Sequence, residues 1–138
     1  GMGGFPVDTE RPRPGSFRHS VELLLKNRMV VIFPEGNIFR DRQVHPLKRG
    51  LARIAIEAAT LQPDSQLKIL PVGIHYSQPY PQWGTEVTVT IGKPLTVGDY
   101  QDPSPRKRSQ DLTAALTTSL QALQAECEPD EPELVAAN

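Results

Sequence analysis

Five consecutive apolar residues, Met29-Val30-Val31-Ile32-Phe33, run directly into Pro34-Glu35-Gly36. A β-branched run with no polar residue on either alternate set reads as a strand covered on both faces, the kind found in α/β sheets. Proline has no N–H to give to a ladder, so the strand should stop at Pro34. The expected fold is therefore α/β, a mixed and largely parallel sheet flanked by helices. In such sheets ligands gather beyond the carboxyl ends of the strands, where Glu35 and Gly36 stand.

The flanking segments supply the other elements. Ser16 can cap a helix over 17–27, in which Phe17, Val21, Leu24 and Leu25 recur at helical spacing. Pro46 suits the first turn of a helix over 47–61, with Leu47, Leu51, Ile54, Ala55, Ala58 and Leu61 as its buried stripe. Residues 67–76 read as a second buried strand. Val87, Val89 and Ile91 alternate with Thr88 and Thr90, a strand with one wetter face. After a proline-rich link over 102–105, Leu112, Leu116, Leu120 and Leu123 mark one face of a helix over 106–126.

At 138 residues the chain suits one domain, expected over 1–126, followed by an acidic, proline-broken and disordered tail over 127–138. The lead-in over 3–15, rich in glycine, proline and charge, is expected to be ordered but irregular. No apolar stretch approaches the roughly 20 residues of a membrane-spanning helix, so any membrane contact is expected to be peripheral. A single cysteine, Cys127, cannot form an internal disulfide, and no Cys/His cluster has zinc spacing. A reducing, cytoplasmic setting fits, on the inner face of a membrane where one is contacted, and neither metal nor cofactor is expected. Cys127 lies beside acidic residues that disfavour a thiolate, which argues against a nucleophile.

Charge is distributed unevenly. Glu126, Glu128, Asp130, Glu131 and Glu133 carry no basic residue among them, and without these five acids the net charge of −1 becomes +4. Between residues 40 and 53, Arg40, Arg42, Lys48, Arg49 and Arg53 face only Asp41. Such cations, joined to the free amides of a helix N-terminus, suit a phosphate. Arg106-Lys107-Arg108 is a second basic run, but without an aromatic stacking platform it reads as a charged helix start, and no nucleic acid is expected as a partner.

Three blocks then stand in order. Gly4-Phe5-Pro6-Val7-Asp8 comes first, Phe33-Pro34-Glu35-Gly36 with Lys48-Arg49-Gly50 second, and Leu70-Pro71-Val72-Gly73-Ile74 third, before a closing Gly92-Lys93-Pro94-Leu95. In these blocks the chain resembles the phospholipid/glycerol acyltransferases, the family that includes the 1-acylglycerol-3-phosphate acyltransferases. The resemblance covers roughly residues 3–95 and implies a partial glycerolipid acyltransferase fold. It implies transfer of an acyl group from acyl-CoA or acyl carrier protein to the hydroxyl of a glycerol phosphate or lysophospholipid. The substrate-binding residues it points to are Glu35, Gly36, Arg40, Lys48, Asp8 and Arg11.

The departures from the pattern are specific. Asn37-Ile38-Phe39 stands where the family has Thr-Arg-Ser, which leaves Arg40 as the substitute cation. Thr9 stands where an arginine is common, which leaves Arg11 or Arg13. The family's catalytic H-x-x-x-x-D finds no match, because His19, His45 and His75 are followed five positions later by Leu24, Gly50 and Tyr80. A glycerol hydroxyl needs a base near neutral pH, and histidine fixed by a carboxylate is suited to that task. The expectation is thus of no catalytic residue in this chain, an acceptor-phosphate side inactive alone, with a non-catalytic phosphate- or anionic-lipid-binding module as the alternative.

Overall fold

The computed structural model describes residues 14–34, 44–77 and 83–127. Three helices and four short strands make an α/β fold: α1 (Pro14–Leu25), α2 (Gly50–Leu61), β1 (Lys68–Ile69), β2 (Val72–Tyr76), β3 (Val87–Ile91), β4 (Leu95–Thr96) and α3 (Pro105–Cys127), with a 3₁₀ turn over Val97–Asp99 before α3.

α1 ends where the sequence says it should. Asn27 takes a left-handed φ of 58°. Around it Arg28 N–H donates to the Leu23 carbonyl at 2.8 Å and Asn27 N–H to that of Leu24 at 3.1 Å, the paired bonds of a Schellman stop. Ser16 is not the cap: it lies inside the helix, and its carbonyl accepts the buried Ser20 hydroxyl at 2.9 Å. α3 starts on stronger local chemistry. The Ser104 hydroxyl accepts Lys107 N–H at 3.3 Å, the N-cap geometry, with Pro105 at the first helical position. Lys107 is in turn bound to Asp111 at 2.8 Å, and that carboxylate holds the ammonium above the usual lysine range. This accounts for part of the basic run as helix-surface pairing.

α2 is the central element. On one side Ile54 and Ala58 meet Val21, with Phe17, Leu24, Leu25, Ile32 and Leu67 around them. On the other, Ala52 and Ala55 meet Val97 and Leu112, with Ile69 and Tyr100 alongside. The helix begins at Gly50, three residues later than the sequence suggested, and Pro46 and Leu47 precede it. Ahead of it, Lys48 N–H donates to the Pro34 carbonyl at 2.7 Å, which anchors the approach to α2. Leu61, expected in the buried stripe, is exposed at the last position of the helix.

The largely parallel sheet expected from the sequence is not found among the described residues. Both described strand pairings are antiparallel, β1 with β4 and β2 with β3. The 29–33 run is not a strand among the described residues, and it is covered on one side only: Val30 and Ile32 are half-buried, whereas Met29, Val31 and Phe33 are exposed. A wholly apolar run has no period, so it carries no information on how many of its faces are covered.

The 67–76 strand is broken at Pro71, which has no N–H for the ladder and accepts from Gly92 N–H instead, at 2.9 Å. Across the break the register slips. Ile69 pairs with Leu95 but Val72 with Ile91, so Leu70 and Pro71 oppose Gly92, Lys93 and Pro94. One extra residue on the second strand is a bulge, and it reverses which alternate residues face inward. Leu95 and Val97 reach the core, while Val87, Val89 and Ile91, of the same odd parity, stand 53%, 58% and 63% exposed. The face expected to be wetter is the one turned toward α3.

α3 crosses the inner face of the hairpin at two glycines. A Cβ at Gly73 would lie 3.3 Å from Leu123 Cβ, and one at Gly92 3.3 Å from Leu123 Cδ1. Leu at Gly73 is expected to force α3 off the sheet and to lower stability by about 1–3 kcal/mol, read as the midpoint of urea unfolding. An unchanged midpoint would mean that α3 does not approach β2 so closely.

Candidate functional site

Two parts of the sequence that the motif reading joined are joined in space. The Lys48 to Pro34 bond ties the end of the 29–33 run to the residues that open α2. Arg49 is the N-cap of α2, in helical conformation (φ −72°, ψ −21°) and with no side-chain cap bond. Beyond it Gly50 is buried, and the first turn contains no acidic residue. The first N–H groups of an α-helix have no intrahelical acceptor, so the entry to α2 offers donors and a positive dipole end with no carboxylate of its own first turn to compete.

Of the predicted substrate-binding residues, Lys48 is described: it is half-buried, as is His45 three residues before it. Glu35, Gly36, Arg40, Asp8 and Arg11 lie outside the described residues, as does the 127–138 tail beyond Cys127. Arg49 is exposed. Arg53 is committed elsewhere, its guanidinium carbon 5.9 Å from the Phe17 ring centroid, a cation–π contact that ties α2 to α1. That contact carried no sequence signal beyond an aromatic and an arginine on neighbouring helices.

A cavity of about 270 Å³ opens at the far end of α2, lined by Leu24, Arg28, Gln62 and Lys68 among others. It shares no residue with the motif blocks. Among the described residues no group of three or more His, Cys, Asp or Glu could hold a metal ion, and no helix is long and apolar enough to cross a membrane.

Fold and turn together define an α/β protein in which Phe33-Pro34 is tied to the approach to a helix, and the comparisons with known proteins bear on that class. The Acyltransferase family model matches residues 1–75, and the chain belongs to that family. It is 30% identical over 127 residues to the 1-acyl-sn-glycerol-3-phosphate acyltransferase of Bacillus subtilis, covering 87% of this chain and 57% of that protein. It is 29% identical over 112 residues to glycerol-3-phosphate O-acyltransferase 1 of Saccharomyces cerevisiae, covering 77% of this chain and 15% of that protein. An uncharacterised acyltransferase of Schizosaccharomyces pombe is 32% identical over 74 residues, 54% of this chain and 11% of its own length. The chain thus spans little more than half of the bacterial relative and a small part of the yeast ones. No solved structure matches it.

Proposed function

We propose that this chain forms the acceptor-phosphate side of a glycerolipid acyltransferase. In the complete reaction the acceptor hydroxyl oxygen attacks the carbonyl carbon of an acyl thioester from acyl-CoA or acyl carrier protein. The C–S bond breaks, the thiol leaves, and the hydroxyl proton passes to a base and on to the sulfur. The acceptor is a glycerol phosphate or lysophospholipid, the substrates named for the bacterial and budding-yeast relatives. Lys48 and the opening amides of α2 would hold its phosphate, with Arg40, Arg11, Glu35, Gly36 and Asp8 completing the site. The observation that supports this reading is the Lys48 N–H bond to the Pro34 carbonyl, which ties the described half of that block, Phe33-Pro34, to the approach to α2, a helix with no acidic residue in its first turn.

The base is not supplied by a His-x-x-x-x-Asp pair of this sequence. That feature favours a second reading, a non-catalytic module that grips phosphate or anionic lipid through the same turn. Titration calorimetry with glycerol 3-phosphate is expected to show binding that inorganic phosphate competes away. A thiol-trapping assay with acyl-CoA and lysophosphatidate is expected to show no turnover by the 138-residue chain. Absence of binding removes the headgroup reading, and robust thiol release removes the requirement for the dyad. An in-frame H-x-x-x-x-D coding segment directly upstream would decide for the enzyme over the module.

A further inference from the structure

The ends of α1 and α2 meet at the cavity of about 270 Å³, and its walls are held by bonds that engage the carbonyls of those ends. The Leu23 and Leu24 carbonyls accept Arg28 and Asn27 N–H in the Schellman stop. The Leu25 carbonyl accepts the Gln62 side-chain amide at 3.2 Å, which ties the two helix ends together. The Gln62 carbonyl accepts both the N–H and the hydroxyl of Ser65, at 3.0 and 2.7 Å. Free carbonyls at a helix C-terminus disfavour anions, and here these carbonyls already have partners.

The groups left open are cationic or neutral. Arg28 and Lys68 both line the cavity and both are exposed. Neither side chain makes an ion pair or hydrogen bond among the described residues. Lys68 is turned away from the core because its neighbour on β1, Ile69, packs into it, and successive strand residues point to opposite faces. No acidic residue lines the cavity. The rest of the lining includes the Asn27 and Gln66 amides, the half-buried Leu67 and the buried Ala58.

We propose that this cavity binds a nucleoside phosphate, with the phosphate held by Arg28 and Lys68 and the nucleoside set against the amides and the apolar side chains. Two unpaired cations on one cavity select an anion, and a guanidinium fork matches phosphate in bidentate fashion. Each amide side chain carries both donors and an acceptor, which suits the polar edges of a base and has no counterpart on a fatty-acyl chain. The volume lies just under the roughly 300–1,000 Å³ of small-molecule sites, so it takes one nucleoside head group and not a dinucleotide. A free nucleotide and the nucleotide end of coenzyme A share this chemistry. The cavity has no residue in common with the α2 entry, so the inference stands or falls separately from phosphate binding there.

The test is titration calorimetry of the 138-residue chain with AMP, ribose 5-phosphate, inorganic phosphate and coenzyme A. Saturable AMP binding is expected, at least tenfold tighter than that of ribose 5-phosphate. Arg28→Gln and Lys68→Gln should each weaken it about tenfold, the loss of one charge-assisted contact. Both variants should keep the circular dichroism of the parent, because the wall bond of Arg28 is made by its backbone N–H. Lys93→Gln, at an exposed lysine outside the cavity, should leave binding unchanged. No saturable AMP binding, or full affinity in both cation variants, overturns the proposal. Ribose 5-phosphate or inorganic phosphate bound as tightly as AMP overturns it in favour of a site for phosphate alone. A fall in the urea midpoint of Arg28→Gln and Lys68→Gln, with no AMP binding by the parent, overturns it in favour of cations that only offset the helix ends. Coenzyme A bound more tightly than AMP sustains the site and gives an acyl donor as the source of the nucleotide, and equal binding sustains it with a free nucleotide. Glycerol 3-phosphate titrated into Arg28→Gln should bind as it does to the parent, which keeps the two sites apart.

Discussion

Leu112→Ala is expected to destabilise the fold by about 3 kcal/mol, the largest stability effect of any single truncation considered for this chain. Leu112 is 0% exposed and is the contribution of α3 to the cluster of Ala52, Ala55 and Val97. Two of its three buried neighbours are alanines, whose methyl groups cannot swing into a vacated space. The cavity therefore stays open, and the loss combines removed apolar contact with an unfilled void. Against a total stability of about 5–15 kcal/mol, that loss lowers the melting temperature by about 10 °C or more. Leu120, half-buried on the same helix, provides the comparison and should cost clearly less. Equal losses at the two positions, or no loss at Leu112, would mean that α3 does not seal α2 in the manner described.

Lys48→Glu is expected to weaken glycerol 3-phosphate binding by about 10- to 100-fold. Two unit charges about 4 Å apart interact by several kcal/mol at the effective dielectric near a protein surface, and reversal turns attraction into repulsion. Partial exposure and salt reduce this, which brings the expected loss to roughly 1.4–2.8 kcal/mol. The tie to Pro34 is made by the backbone N–H of Lys48, so the substitution leaves it in place. Arg106→Glu, an equal charge change at the exposed start of α3, is the control for net charge. Binding is to be measured by calorimetry at low and at physiological salt. Equal weakening by both variants would reduce the effect to bulk electrostatics and take Lys48 out of the site.

The helices were legible because their ends carry local chemistry. Asn27 can adopt a left-handed φ, and Ser104-Pro105 presents a hydroxyl cap and a residue suited to the first turn, all within a few residues of sequence. The start of α2 was not: Pro46 marks a residue suited to a first turn, yet the helix opens at Gly50, after an approach held by a bond from Lys48 to Pro34, fourteen positions away. Strand pairing failed for a related reason. The apolar run over 29–33 declared its hydrophobicity but not its neighbours, and the antiparallel register of β2 with β3 is decided by a slip at Gly92-Lys93-Pro94 that propensity alone does not reveal. Of the site, the sequence brought forward Phe33-Pro34 and Lys48-Arg49-Gly50, and these are the parts now joined. Glu35, Gly36, Arg40, Asp8 and Arg11 rest on the motif pattern.

Most surface connections accept a residue more or a residue less at little cost, but the stretch from Gly92 to Pro94 has no such freedom. Deleting one residue there would restore an unbroken count between β3 and β4, and the hairpin could then satisfy β4 only by rotating β3 half a turn. Thr88 and Thr90 would exchange places with Val87, Val89 and Ile91, so the length of a three-residue segment sets the orientation of an entire strand.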